Sequence, residues 1–303
     1  MTLFDSLVDQ WGGPTAFRAA LGERRLSGRL DPADVEPLIS WAGVAEVLVA
    51  HRLAPPHLKV VAKAGRQVNP ASYLDRTSSP RRATTPYVDI RKLRDVLGTG
   101  ATLVIDNVDE MLPNIGATAA QLSTMVGEYV QTHLYATAGD TPAFSPHWDV
   151  VDVLVVQVEG TKHWDVYGPG TPNPIDADTD PDNTRPDEPE WSGVLTPGDV
   201  LYLPRGWWHS VHGMGGTSLH LSYGFQSQTG LAYLSWLGRK ARHTAAFRTD
   251  IPRTGGTEAL DQHAKILIES INQLAQEHPI QEFLAAHAAE LVHPAPPRLD
   301  DVR

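Results

Sequence analysis

Three residues carry the chemistry that can be read first. His147-Trp148-Asp149 places an imidazole and a carboxylate at i and i+2. In an extended strand those two side chains project from one face. His209 supplies a third group. It follows Pro197-Gly198-Asp199, a short apolar run and Pro204-Arg205-Gly206, which reads as turn, strand, turn. Two histidines and one carboxylate on a β scaffold make the facial triad of non-haem Fe(II) sites, with coordination positions left open. Zn, Mn, Co and Ni suit the same ligands. The competing reading makes His147 an ordinary loop histidine and His209 a core histidine, since thirteen histidines supply many chance pairs. No His-Glu-x-x-His helix, Gly-x-Ser-x-Gly elbow or phosphate-cradling loop is present. His209 and His212 sit in strand-like sequence, where their side chains face opposite ways.

The elements that must hold these residues follow from pattern. From Val130 onward, short apolar runs alternate with Gly and Pro: Val130–Ala136, Val150–Val158, Trp164–Tyr167, Gly193–Leu195, Val200–Leu203 and Ser218–Tyr223. Such spacing predicts an all-β sandwich or barrel. Upstream, Leu3, Phe4, Leu7, Val8 and Trp11 fall on one helix face, stopped at Gly12-Gly13-Pro14. Asp34–Leu53 reads as one helix, Leu58–Ala62 as a strand, residues 75–86 as a loop, and Val88–Leu97 as a helix. Ala101–Ile105 reads as a strand and Ala117–Tyr129 as a helix. After Gly230 the pattern is helical again, over Leu231–Ala246, Leu260–Ala275 and Phe283–Leu291.

Composition bounds the class. The 303 residues are 41% hydrophobic and 20% charged, enough to bury a core and incompatible with wholesale disorder. There is no cysteine, so disulfides, thiolate metal sites and a Cys nucleophile are excluded. The balance of 25 basic to 36 acidic residues gives −11 and argues against nucleic acid as a partner. A local basic patch would have to use Arg81, Arg82, Arg91, Lys92 and Arg94. Residues 176–190, rich in Asp, Glu and Pro, read as a solvated connector or as an acidic lid for a basic substrate. No apolar run approaches a membrane span, and Met1-Thr2-Leu3-Phe4-Asp5 lacks a basic leader, so the expectation is no membrane and a cytoplasmic protein.

Read together, the motifs resemble the JmjC-type cupin oxygenases, in their ribosomal-oxygenase-like branch. The resemblance rests on Ser145-Pro146-His147-Trp148-Asp149, on Gly160-Thr161-Lys162-His163-Trp164, on Pro197-Gly198-Asp199 followed by Pro204-Arg205-Gly206-Trp207-Trp208-His209, and on Gly100–Asn107 upstream. It spans roughly residues 60–250 in order and spacing. It implies a mainly β core, a double-stranded β-helix or jelly roll, with an N-terminal α/β extension (1–99), a core (100–242) and a C-terminal helical region (243–303). It further implies Fe(II) as metal and 2-oxoglutarate as cosubstrate. His147, Asp149 and His209 match the iron ligands, and Lys162 matches the cation that pairs with the distal carboxylate. A dicarboxylate chelating metal at one end needs such a cation at the other. Tyr135 resembles a hydrogen-bond donor to the same carboxylate, and Ser218 a small polar contact. His133 stands where the family often has Asn.

The plainer readings are an exposed hairpin lysine for Lys162, a core tyrosine for Tyr135, a strand serine for Ser218 and core packing for Trp207 and Trp208. The expected activity is hydroxylation of an amino-acid residue in a protein or peptide, or of an amino-acid-derived small molecule. A homodimer through the C-terminal helices is a family-level expectation. Two alternatives stand beside it: a metal-dependent cupin isomerase or hydrolase without 2-oxoglutarate, with Glu159 as a poorly placed fourth ligand, and a non-catalytic cupin binding module.

Overall fold

The computed structural model describes residues 3–76, 86–175, 178 and 185–291. Within them the helices are α1 (Asp5–Gln10), α2 (Pro14–Ala20), α3 (Pro32–Val35), α4 (Trp41–Ala50), α5 (Ile90–Leu97), α6 (Pro113–Val126), α7 (Gly230–Ala241), α8 (Gly256–Glu277) and α9 (Ile280–Glu290). The strands are β1 (Leu26–Arg29), β2 (Leu58–Ala62), β3 (Arg66–Gln67), β4 (Leu74–Arg76), β5 (Pro86–Val88), β6 (Thr102–Ile105) and β7 (Val130–Ala138), then β8 (Asp152–Glu159), β9 (Lys162–Pro169), β10 (Trp191–Leu195), β11 (Asp199–Leu203), β12 (Trp207–Gly213) and β13 (Thr217–Phe225).

Two sheets make the core. The larger runs β1-β11-β8-β13-β7-β6-β2-β3 and the smaller β10-β9-β12, with antiparallel pairing throughout. The short-strand pattern predicts an all-β sandwich or barrel, and the paired sheets have the jelly-roll architecture that the family resemblance implies. Period-2 alternation explains how it closes. On β7, Leu134 and Ala136 join the main apolar core, while His133, Tyr135 and Thr137 face a cavity. On β13, Leu219, Leu221 and Tyr223 go to the core, and His220 and Ser222 to the cavity. The second face of the larger sheet meets the smaller one through Val155, Leu201 and Leu203, packed on Trp164, Val166, Leu195 and Trp207. Full burial of each such side chain is worth roughly 1.5–3 kcal/mol.

α6 covers the core face. Ile115, Thr118, Ala119, Leu122 and Ser123 are its buried residues, at helical spacing, and Gly127 ends it in a left-handed conformation. The Thr118 hydroxyl meets the Tyr223 hydroxyl at 2.8 Å, which satisfies both inside the core.

Several boundaries differ from the sequence pattern. The single helix expected over Asp34–Leu53 is broken between α3 and α4. Pro37 interrupts it, and Ser40 caps a new start by accepting from the Gly43 N–H. β1 was not expected from Leu-Ser-Gly-Arg. It forms because it pairs with β11, and an ideal Cβ at Gly28 would lie 2.8 Å from Leu7 Cδ2, so glycine permits that approach. The stretch 147–149 is not a regular strand: His147 makes an isolated bridge with His209, and β8 starts only at Asp152.

By internal contacts the chain divides into Met1–Gln226 and Ser227–Arg303. The second unit buries Trp236, Leu237, Leu274 and Phe283 among α7, α8 and α9. On α8, Leu274 is buried, while Leu260 and Ile271 are exposed. Among the described residues no helix is long and apolar enough to cross a membrane.

Candidate metal and carboxylate site

The cavity between the two sheets has a volume of about 380 Å³. His147, Asp149 and His209 meet there. One ligand atom from each lies within 4.8 Å of the others, and among the described residues this is the one His/Cys/Asp/Glu group of three with metal-holding geometry. His209 sits at a register shift in the β12–β9 ladder, where Trp208 pairs with Gly168 and His209 with Val166. Such a bulge re-aims side chains. The backbones of His147 and His209 bond reciprocally at 3.0 and 2.8 Å, which locks the spacing of the two rings.

Tautomers follow from the backbone. His147 Nδ1 is 2.9 Å from the Ser145 carbonyl, and His209 Nδ1 is 3.0 Å from the Trp207 carbonyl. A carbonyl only accepts, so each Nδ1 carries the hydrogen and each Nε2 keeps its lone pair. Burial, followed by the neighbouring His147, pushes the His209 imidazole down to about 4. It is therefore neutral at physiological pH, as a metal ligand must be. Asp149 Oδ2 lies 3.6 Å from His209 Nε2. This donor set fits a divalent first-row metal.

Lys162 lies at the start of β9 and is 3% exposed, so it is not a surface hairpin lysine. Burial pushes its ammonium down to about 7, and among the described residues no carboxylate offsets that. Its Nζ donates to His220 Nδ1 at 2.9 Å and reaches the Tyr135 carbonyl at 3.4 Å. Tyr135 is in the cavity. Burial, then the charges of Asp149 and Asp106, raise its phenol well above the usual value, so its O–H stays a donor. His133 also lines the cavity, but its Nδ1 meets Asp106 Oδ1 at 3.0 Å. Asp106 in turn pairs with Lys59 at 2.8 Å. Burial alone would raise the Asp106 carboxyl; the His133 and Lys59 bonds outweigh it and hold it below the usual range.

Ser218 is not among the cavity-lining residues; Ser222, on the same face of β13, is. The Ser218 hydroxyl is buried without a hydrogen-bond partner, beside the Gly160 turn that leads into Lys162. Trp207 and Trp208 are buried, and Trp207 packs between the sheets. Glu159 accepts from the Trp41 N–H at 2.8 Å and lies outside the metal-holding group, so the fourth-ligand expectation finds no support. His212 stacks on His163, at 4.8 Å between ring centroids.

Sequence reasoning overlooked His220, Trp164 and Asp106. Trp164 stacks on His209 at 5.8 Å and meets the edge of His220 at 5.7 Å. Alternation on β13 from Ser218 would have pointed to His220. Nothing local marks Asp106. Of the basic residues singled out, Arg81 and Arg82 lie outside the described residues, and Lys92 pairs with Asp75 at 3.1 Å. The acidic stretch 176–190 lies outside them except at 178 and 185–190.

Comparison with known proteins agrees with the geometry. Residues 111–233 match the family model described as JmjC domain. The Drosophila willistoni protein named bifunctional lysine-specific demethylase and histidyl-hydroxylase NO66 is 27% identical over 270 residues, 82% of this chain and 33% of that protein. Ribosomal oxygenase 1 of Bos taurus is 30% identical over 204 residues, 60% of this chain and 31% of that protein. The chain thus spans about a third of the length of these curated relatives. The structure of YcfD, a ribosomal oxygenase from Escherichia coli in complex with cobalt and 2-oxoglutarate, superposes with a TM-score of 0.56. That match is at 18% identity and covers 95% of this chain and 75% of YcfD, a likeness of fold. Residues 111–233 thus resemble a JmjC domain, in a chain whose fold is like that of YcfD and whose sequence is similar to ribosomal oxygenase 1.

Proposed function

We propose that the chain is an Fe(II)- and 2-oxoglutarate-dependent oxygenase that hydroxylates an amino-acid residue in a protein or peptide. One observation carries the reading: a two-histidine, one-carboxylate cluster shares its cavity with a buried lysine that no carboxylate among the described residues neutralises. A lysine in that state is stabilised by an anion it does not yet hold. When bound, iron with 2-oxoglutarate would supply dioxygen activation, one oxygen atom going to the succinate left by loss of CO2 from the cosubstrate and the other into a substrate C–H bond to give C–OH.

The chain's own residues do the rest. His147, Asp149 and His209 would hold the metal from one side through two imidazole Nε2 atoms and a carboxylate oxygen, leaving the cavity side open. Lys162 would pair with the distal carboxylate, and the Tyr135 hydroxyl would donate to it. His133, which lines the cavity, is a secondary candidate for a polar contact to the cosubstrate, whereas Ser218 lies outside the lining. The apolar walls, Val153, Val155 and Trp164 among them, exclude water from the reacting atoms. The names of the relatives, demethylase, histidyl-hydroxylase and ribosomal oxygenase, support a protein substrate. The exposed Leu260, Ile268 and Ile271 of α8 support self-association, checked by sedimentation.

The test is an anaerobic titration with Fe(II) and then 2-oxoglutarate, followed in the visible region. A weak metal-to-ligand charge-transfer band that is lost in Lys162→Ala at modest cosubstrate concentration is the expected result. Iron binding with no band under saturating 2-oxoglutarate would sink the cosubstrate assignment.

A further inference from the structure

We infer that His220 is the positioning residue that aims Lys162 at the cosubstrate, holding its ammonium through a neutral acceptor so that its charge stays available. The inference rests on the oxygenase reading above and assigns a task to a residue outside the metal and carboxylate contacts.

The argument is geometric. His220 is buried at 4% exposure and lines the cavity. Its Nδ1 is 2.9 Å from Lys162 Nζ. An ammonium has no lone pair, so the imidazole accepts, and Nδ1 must be the unprotonated nitrogen. The ring is fixed on two sides. It stacks on Tyr135 with centroids 4.8 Å apart and planes 14° apart, and it meets Trp164 edge-on at 5.7 Å. Its backbone sits at a register shift, where the β13–β8 ladder passes from Leu219↔Glu159 to His220↔Gln157.

A flexible four-carbon lysine stem needs such a guide, because ordering it costs side-chain entropy. An Asp or Glu at position 220 would also hold the ammonium. It would cancel the charge and compete with an incoming carboxylate. An imidazole takes one of the three N–H donors, the Tyr135 carbonyl takes a second at 3.4 Å, and the charge and the third donor stay available for the ligand. A hydroxyl would accept equally well but could not stack on Tyr135. The residue type and the two ring contacts therefore agree on one role.

The experiment uses the full chain loaded with Mn(II) and measures binding by calorimetry. The probes are 2-oxoglutarate and 2-oxopentanoate, which has the same chain length without the distal carboxylate. The variants are Lys162→Met, His220→Leu and His220→Asn. Leu places a methyl where Nδ1 lies; Asn places an acceptor there. Loss of one charge-assisted hydrogen bond predicts a 2-oxoglutarate Kd about tenfold or more higher in His220→Leu, with most of the affinity restored in His220→Asn. Binding of 2-oxopentanoate should be the same in all His220 variants, which a merely structural defect would not allow.

Equal weakening of both probes in His220→Leu overturns the inference. So does a His220→Leu that binds 2-oxoglutarate like the wild type while Lys162→Met does not. If Lys162→Met itself leaves 2-oxoglutarate binding unchanged, the carboxylate reading of the cavity fails first, and the role of His220 with it.

Discussion

Replacing Lys162 by methionine should make the metal-free protein more stable, and the gain should shrink as the pH rises. The side chain is buried, its ammonium is pushed from 10.5 down to about 7, and burial is the cause. The unfolded chain therefore binds a proton between about pH 7 and 10.5 that the folded chain does not. Stability of the wild type must rise with pH across that window. At 1.36 kcal/mol per pKa unit, the charged form costs the fold on the order of 4 kcal/mol at pH 7 and about 2 kcal/mol at pH 9. Below pH 7 the penalty is fully present; by pH 10.5 it has almost gone.

Methionine fills similar space without the charge. It also leaves His220 Nδ1 without its donor, at a cost of about 1–3 kcal/mol that does not vary with pH in this range. The net gain at pH 7 is then about 1–3 kcal/mol, and it falls by about 2 kcal/mol on going to pH 9. Urea unfolding of both proteins at the two pH values, with the slopes checked for equality, reads this difference directly. A methionine variant less stable than the wild type at both pH values, by the same amount, would refute the claim that the lysine is held against its solvation. Adding 2-oxoglutarate to the metal-loaded proteins should stabilise only the wild type strongly, since the ligand supplies the missing anion.

The remaining predictions address other links. His147→Ala or Asp149→Ala should weaken Mn(II) binding by more than about 100-fold, read by calorimetry, since loss of an outer-shell partner alone costs 10–100-fold. Gly160→Ala should destabilise by at least ~2 kcal/mol in urea unfolding. Its Cβ would sit 2.0 Å from the Thr217 carbonyl oxygen, at a φ of +63°. Asp106→Asn should cost about 1 kcal/mol or more at pH 7. Because the Asp106 carboxyl is held below 3.8, its contribution is present above that value and lost as the pH falls through the folded value, so the two proteins should converge in acid. Ser40→Ala should cost about 1 kcal/mol by removing the cap of α4.

The β core was legible in the sequence because its strands are short, apolar and fenced by Gly and Pro; the jelly roll came only with the family resemblance. Their pairing was not, because no local signal says that β1 joins β11 across most of the chain. The metal-cluster candidates were legible in residue type. Their positioning was not. His147 and Asp149 are held by one bridge to β12 and by the Gly206 N–H that bonds the Asp149 carbonyl, not by a strand of their own. Lys162 alone reads as a hairpin lysine, and only the closing of one sheet over the other buries it. Asp106 lies just past β6 and reaches His133 on the adjacent strand; that contact exists only in the register Ile105↔Leu134.

The alternation on β7 divides one strand between two masters. Leu134 and Ala136 answer to folding, and His133, Tyr135 and Thr137 answer to whatever the cavity holds. Substitution records on this strand should therefore be striped, with neighbours in sequence drifting under unrelated constraints. A lineage could rewrite the cavity set, and with it the reaction, while the positions that hold the sheets together stayed as they were. The scaffold and the chemistry are interleaved in the chain yet separable in inheritance.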